Sequence, residues 1–148
     1  MSSWPCCAAT TTDVPLVDTN VLFDLVTNDP IWADWSFRQL ETHGLGNRLV
    51  VNPVVYAELS VGFDRIDKVD AFLGETGVEV IEVPRAALFL AGKAFQTYRA
   101  RGGTKTGVLP DFFIGAHAVV EGISLLTRDA RRYRSYFPTI ELITPGDA

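Results

Sequence analysis

Short unbroken apolar runs alternate along this chain with longer stretches in which apolar residues recur every three or four positions. The first run, Leu16 and Val17, ends in Asp18, Thr19 and Asn20, and apolar residues resume at once with Val21, Leu22 and Phe23. That order reads as a strand turning directly into a helix over 21–26, with Thr19 or Asn20 near its N-cap. Asn28, Asp29 and Pro30 interrupt the pattern. Residues 31–41 restore it as an amphipathic helix carrying Trp32, Trp35, Phe37 and Leu40, before a glycine-rich turn over 43–47. Residues 48–51 form a second strand, and Asn52 followed by Pro53 starts a helix well: a capping side chain, then a proline at the first helical position. That helix runs through Val54, Tyr56, Glu58 and Leu59 toward Gly62, and a further helix covers 64–73.

Val78, Val80, Ile81 and Val83 make a third strand, closed by Pro84. Residues 85–101 carry the longest helical pattern, with Ala87, Leu88, Ala91, Ala94, Phe95 and Tyr98 at spacings of three and four. Gly102, Gly103 and Gly107 place a flexible loop around Lys105. Pro110 then opens a helix to about Glu121, which Gly122 terminates. Residues 123–126 read as a fourth strand, 129–136 as a short basic helix and 140–143 as a last strand. Strands alternate with helices and nothing reads as a tight hairpin, so the pattern calls for an α/β fold with a mostly parallel sheet covered on both faces.

At 148 residues the chain has the length of one domain and can bury a core without staples. With 47% hydrophobic and 21% charged residues it is composed like an ordinary globular protein. Cys6 and Cys7 are adjacent in a Ser/Thr/Ala-rich leader over 1–13, so they form neither a disulfide framework nor a paired metal motif. The leader lacks a positively charged start and a continuous apolar core, which argues against a signal peptide. No apolar run approaches the roughly 20 residues that a membrane-spanning helix needs. The expectation is a cytoplasmic protein without a membrane partner, its single domain over 14–148 preceded by a flexible leader.

A net charge of −5 and a pI near 4.9 argue in bulk against a nucleic-acid partner. The cations are unevenly placed, however: Arg99, Arg101, Lys105, Arg128, Arg131, Arg132 and Arg134 are seven of the thirteen Lys and Arg residues, within one third of the chain. An acidic protein with one basic region stays a candidate for binding phosphates, against the alternative of solvated helix surfaces.

Four acids fall at element boundaries: Asp18 after the first strand, Glu58 inside the helix after the second, Asp111 at a helix start and Asp129 after the fourth strand. Singly, each has a structural use. Asp18 and Asp129 can cap the helices that follow, Asp111 can favour its helix dipole, and Glu58 can be a surface residue. Together they suggest convergence at one sheet edge. Two carboxylates about 5 Å apart repel by about 3 kcal/mol at an effective dielectric near 20, so such a cluster needs compensation. A divalent cation supplies it, and oxygen-only ligands suit Mg²⁺ or Mn²⁺ while no Cys/His set suggests zinc. A metal held by carboxylates near a basic surface is a recurrent arrangement for phosphodiester hydrolysis. Thr19, Asn20 and Thr127 can orient the acids or a water, or serve turns and caps, and the two roles can coexist. His43 reads as an exposed turn residue, and His117 as a half-buried, hydrogen-bonded one.

The segments DTNVLFDL at 18–25, NPVVYAEL at 52–59, LPDFFIGAHA at 109–118 and LLTRDARRYRSYFP at 125–138 resemble the successive signature segments of PIN-domain ribonucleases. They are most similar to those of the VapC toxins of bacterial type II toxin-antitoxin systems. The resemblance covers residues 16–143 and leaves the leader outside. It implies a three-layer α/β/α fold, a homodimer, Mg²⁺- or Mn²⁺-dependent cleavage of RNA, and inhibition by a cognate antitoxin that wraps the toxin and can fill the acidic pocket. By position, Asp18, Glu58, Asp111 and Asp129 match the family's acidic quartet, and Thr127 the threonine of its last motif. Some relatives carry a second acid beside the third position. Phe112 and Phe113 stand there in this chain, so one ion is expected rather than two.

The leading expectation is thus a metal-dependent endoribonuclease toxin, with Arg128, Arg131 or Arg132 either contacting phosphates or pairing with surface acids. A catalytically degenerate PIN-like scaffold fits the acidic pI, though not the intact quartet. A phosphatase of the haloacid dehalogenase type also starts with an Asp after its first strand, but wants a second Asp where this chain has Asn20.

Overall fold

Leu16–Val17 (β1) is buried on both faces of a sheet, as are Leu49–Val51 (β2) and Leu125–Leu126 (β4). Two-sided burial of continuous apolar runs is what a parallel sheet between two helix layers requires. The protein, seen as a computed structural model, is described over residues 14–45 and 48–146. The 1–13 leader with Cys6 and Cys7, and the Gly46–Asn47 part of the glycine-rich turn, lie outside the described residues. Completing the sheet are Val78–Val80 (β3) and Leu142–Ile143 (β5). The order is β3-β2-β1-β4-β5, and every neighbouring pair is parallel, with Leu16 opposite Val50 on one side and Leu125 on the other.

Seven helices connect the strands among the described residues: Thr19–Val26 (α1), Ala33–Gly44 (α2), Pro53–Ser60 (α3), Ile66–Thr76 (α4), Arg85–Ala100 (α5), Pro110–Glu121 (α6) and Arg131–Tyr136 (α7). The chain lays β2 and β3 to one side of β1 and then crosses back to lay β4 and β5 on the other. Right-handed crossovers therefore put α1–α4 on one face and α5–α7 on the opposite face, giving three layers. The helix contacts follow that division, with α3 against α6 joining the two groups. Strand order reverses between β1 and β4, and the crevice beyond the carboxyl ends of those strands is where open α/β sheets bind ligands.

Local chemistry sets the element ends. Asn52 is fully buried and caps α3, its Oδ1 accepting from the Val55 amide at 3.0 Å, with Pro53 at the first position. Its Nδ2 donates to His117 Nδ1 at 3.2 Å, which leaves the imidazole proton on Nε2. His117 is fully buried rather than half-buried, and burial holds its pKa below the usual imidazole value. Helix α2 begins at Ala33, later than the apolar periodicity places it, because Asp29 Oδ1 accepts from the amides of Ile31 (2.8 Å) and Trp32 (2.9 Å) and holds them in a turn. Its other end extends to Gly44, so His43 lies in a last helical turn and is half-buried. Gly122 closes α6 in the left-handed region, at φ 66°.

Within the α5–α7 layer, buried rings at α7 pack directly on Gly115 of α6. A Cβ there would stand 2.5 Å from Phe137 Cε2 and 3.0 Å from Tyr133 Cδ1, and both rings are buried. Gly115→Ala is expected to destabilise the protein by about 1–3 kcal/mol through overpacking, read as a lower midpoint in urea unfolding. An unchanged midpoint would show that α7 can move away from α6 without cost.

Candidate active site

Backbone pairing carries past β1 and β4 into the residues that bear the chemistry. The Asp18 amide donates to Leu126 O at 2.9 Å and the Thr127 amide to Ile143 O at 3.1 Å, so Asp18 and Thr127 stand side by side at the carboxyl edge where strand order reverses. Asp18, and not Thr19 or Asn20, is the N-cap of α1, its Oδ1 accepting from the Thr19 amide at 2.7 Å. Its Oδ2 accepts from the Thr127 hydroxyl and from the Tyr133 hydroxyl, both at 2.8 Å.

A brace of uncharged groups holds this carboxylate. Thr127 Oγ1, while donating to Asp18, accepts from the Asp129 amide at 3.1 Å and from Asn20 Nδ2 at 3.2 Å. Asn20 Oδ1 accepts from the Arg128 amide at 3.2 Å, so one side chain ties the β1–α1 turn to the β4–α7 loop. Across the site the Thr19 hydroxyl donates to Glu58 Oε1 at 2.6 Å, fixing the half-buried Glu58 on α3. Asp129 does not cap α7, whose N-cap is Ala130; it is exposed at the rim.

Asp18, Glu58, Asp111 and Asp129 line one cavity of about 390 Å³, together with Thr19, Asn20, Tyr133 and the apolar Phe23 and Val61. Burial raises the Asp18 carboxyl to about 6, against hydrogen bonds from Thr127 and Tyr133 that lower it, and the charge of Asp111 adds to the rise. Asp111 is also raised, by burial first and by Asp129, while Arg132 opposes the shift. The Arg132 Nε lies 3.6 Å from Asp111 Oδ2. Tyr133 is pushed well above its ordinary value by burial and by the surrounding acids, so its hydroxyl stays a donor to Asp18.

Tyr133 is the residue that sequence reasoning missed. The signal was there: Ala130, Tyr133 and Phe137 recur at spacings of three and four, the mark of an inward face, and Tyr133 is the member able to donate a hydrogen bond.

Among the described residues, no three His, Cys, Asp or Glu side chains are gathered tightly enough to form a ready-made metal cage. The donor chemistry nevertheless fits a hard divalent cation. The acidic groups lining the cavity are all carboxylates, two of them hold their protons unusually tightly, and Mg²⁺ commonly takes one or two carboxylates and keeps several waters.

Arg128 is directed away from the cavity. Its Nε and Nη2 donate to Asp24 Oδ2 (2.7 Å) and Oδ1 (2.9 Å), its guanidinium lies 5.1 Å from the Trp32 ring centroid, and the Ser36 hydroxyl donates to the same Asp24 Oδ2 at 2.6 Å. Its pairing with an acid is therefore with a buried one, since the Asp24 side chain is only 3% exposed.

Arg128→Ala leaves Asp24 buried without its cation and is expected to cost about 3–5 kcal/mol in urea unfolding. A loss below 1 kcal/mol, with RNA affinity reduced, would instead make Arg128 a ligand contact. A second expectation concerns pH. The Asp18 carboxyl rises from 3.8 to about 6 on folding, so the fold favours its protonated form. That stabilisation is complete below the unfolded value and is lost as pH rises through 6, on the order of 3 kcal/mol in the metal-free protein. Asp18→Asn should abolish this part of the stability–pH profile measured in chelator; an unaltered profile would contradict it.

The chain has no match among curated proteins. Solved structures that share its fold include VapBC2 from Rickettsia felis bound to a DNA fragment from its promoter, at 20% identity and a TM-score of 0.67 over 88% of this chain and 98% of that one. VapBC-1 from nontypeable Haemophilus influenzae is similar at 20% identity and 0.64, over 88% and 97%. FitAcB from Neisseria gonorrhoeae follows at 16% and 0.63, over 91% and 100%. At these identities the likeness is one of fold. The PIN domain family, in contrast, matches by sequence over residues 16–137, from β1 to just beyond α7 and across all four cavity acids, and the chain belongs to it.

Proposed function

We propose that this protein is a VapC-type toxin, an endoribonuclease that hydrolyses RNA phosphodiester bonds in the cytoplasm with Mg²⁺ or Mn²⁺ and is neutralised by a cognate antitoxin. The observation that carries this reading is the common cavity reached by four acids from four separate segments, with Asp18 raised to about 6 by burial. PIN domains are generally nucleases, and the structures that share this fold include toxin-antitoxin complexes. Among the described residues no helix is long and apolar enough to cross a membrane.

Asp18, Glu58, Asp111 and Asp129 would hold the divalent ion, which when bound supplies charge neutralisation and polarises a phosphoryl oxygen. Around it the chain's own groups do the positioning. Thr127 and Tyr133 hold Asp18 Oδ2, and Thr19 holds Glu58, so neither carboxylate is free to swing into bulk water. Asp111, with Arg132 Nε 3.6 Å from its Oδ2, lines the same cavity and would complete the ion's carboxylate set. An apolar strip on α5, with Phe89 68% and Leu88 46% exposed, supports a homodimer as the working state.

The phosphatase reading is disfavoured by Asn20, which uses both amide atoms to join the two loops and offers no second acid. Incubating wild type and Asp18→Asn with total RNA, in Mg²⁺, Mn²⁺ or chelator, and mapping new ends tests the proposal. Wild type should cleave only with metal, and Asp18→Asn should fall to background while melting cooperatively, since the fold already favours a neutral group at this position. Equal cleavage by both proteins, free of contaminating nuclease, would rule the mechanism out. Divalent binding without cleavage of any RNA would favour the scaffold.

A further inference from the structure

Asp129 is a wall between two cavities. On one side lies the acidic cavity; on the other is a space of about 290 Å³ lined by Tyr98, Asp129, Arg131, Arg132, Ser135 and Tyr136. Their characters are opposite. The second cavity is rich in guanidinium groups and aromatic rings, in a chain whose net charge is −5.

Three of the cations around it are already engaged. Arg101 stacks over Tyr136 at 4.8 Å from the ring centroid and donates to Ser135 Oγ at 3.0 Å. Arg132 stands 5.9 Å from the Tyr98 and Phe112 centroids and beside Asp111. Arg99 donates to Lys105 O at 2.8 Å, and the Lys105 amide donates to Tyr98 OH, so the loop after α5 is fastened to the same aromatic group. Arg131 differs: it is exposed, it lines the cavity, and none of the described contacts pairs its charge. The Tyr98 ring is fixed by edge contacts with Phe112 at 5.7 Å and Tyr136 at 6.4 Å, which makes the cavity wall rigid.

We propose that this cavity is a subsite for a nucleotide flanking the scissile phosphate of single-stranded RNA, with Arg131 contacting its phosphate and the Tyr98–Tyr136–Arg132 wall receiving its base. The inference rests on the ribonuclease reading for what the neighbouring cavity does. Unpaired bases stack on aromatic rings and guanidinium planes, and arginine matches phosphate geometry, so the wall and the free cation together suit a nucleotide. A strand crossing Asp129 would have one phosphodiester in the acidic cavity and its neighbour on the basic side. An acidic peptide would also be drawn to Arg131. It would make no use of the aromatic wall and has no chemical reason to sit against the acids, so RNA is the occupant we argue for.

The test uses a short fluorescent single-stranded RNA spanning a mapped cleavage site, with wild type, Arg131→Gln and Arg131→Lys. Arg131→Gln should raise KM about tenfold, the worth of one charge-assisted hydrogen-bonded contact, with the larger effect on KM than on kcat. Binding of the same RNA in chelator should lose about 0.7 from its log–log salt slope, and Arg131→Lys should restore that slope. Thermal melting should stay with wild type, because Arg131 is exposed. If wild type cleaves while Arg131→Gln keeps its KM and salt slope, the subsite is wrong and the nuclease stands. If wild type binds single-stranded RNA in an Arg131-dependent way but cleaves none, the nuclease reading falls and the cavity stands as a nucleotide-binding site without a scissile phosphate beside it. Weakened binding of a poly-glutamate peptide with RNA binding unchanged would overturn the subsite in favour of a protein-docking role.

Discussion

Everything at this sheet edge depends on keeping one carboxylate out of water. Asp18 is 5% exposed, and an unpaired charge there would be expensive, yet its two oxygens accept from the Thr19 amide and from the hydroxyls of Thr127 and Tyr133. Those donors come from α1, the end of β4 and α7, so satisfying a single acid fixes three segments relative to each other. The bonds are not enough to bring the group back to its ordinary proton affinity, which remains near 6. The fold thus stores an unmet demand for positive charge at the reversal point of its sheet, where a bound cation would be of most use.

The basic residues divide according to what they face. Arg128, nearest in sequence to the acids, is taken up by buried Asp24 and by Trp32. Arg132 is shared between Asp111 and two rings, whereas Arg131, its neighbour, faces outward from a six-residue helix. Three arginines within five positions therefore have three different surroundings, set by helix phase and by partners distant in sequence.

That division marks the boundary of what the sequence could tell. The alternation of strands and helices, the Asn52–Pro53 start and the Gly122 stop are local signals, and the structure has the corresponding elements. Helix α2 starts later than its apolar pattern because the competing turn at Asp29 is a side-chain effect on which hydrophobic periodicity has no bearing. Three of the four acids could be picked out because they sit at element boundaries, and Glu58 because it stands one turn inside α3 among apolar residues. The spacing of Ala130, Tyr133 and Phe137 marks Tyr133 only as an inward-facing aromatic, because the acid its hydroxyl serves lies 115 positions away, and the Asp24–Arg128 pair joins residues 104 positions apart.

Distance along the chain has a further meaning at Asp18. Its partners Thr127 and Tyr133 are 109 and 115 residues away, and β4 must insert beside β1 in the middle of the sheet before either can reach it. Contacts of such long range close late, after shorter loops have formed. A partly synthesised chain holding α1–α5 has Asp18 and Glu58 but neither of the hydroxyls that orient Asp18, nor the acids of α6 and the β4–α7 loop. The pocket is therefore assembled only after β4 and α7 have emerged and taken their places beside β1, and chemistry that depends on it begins no earlier.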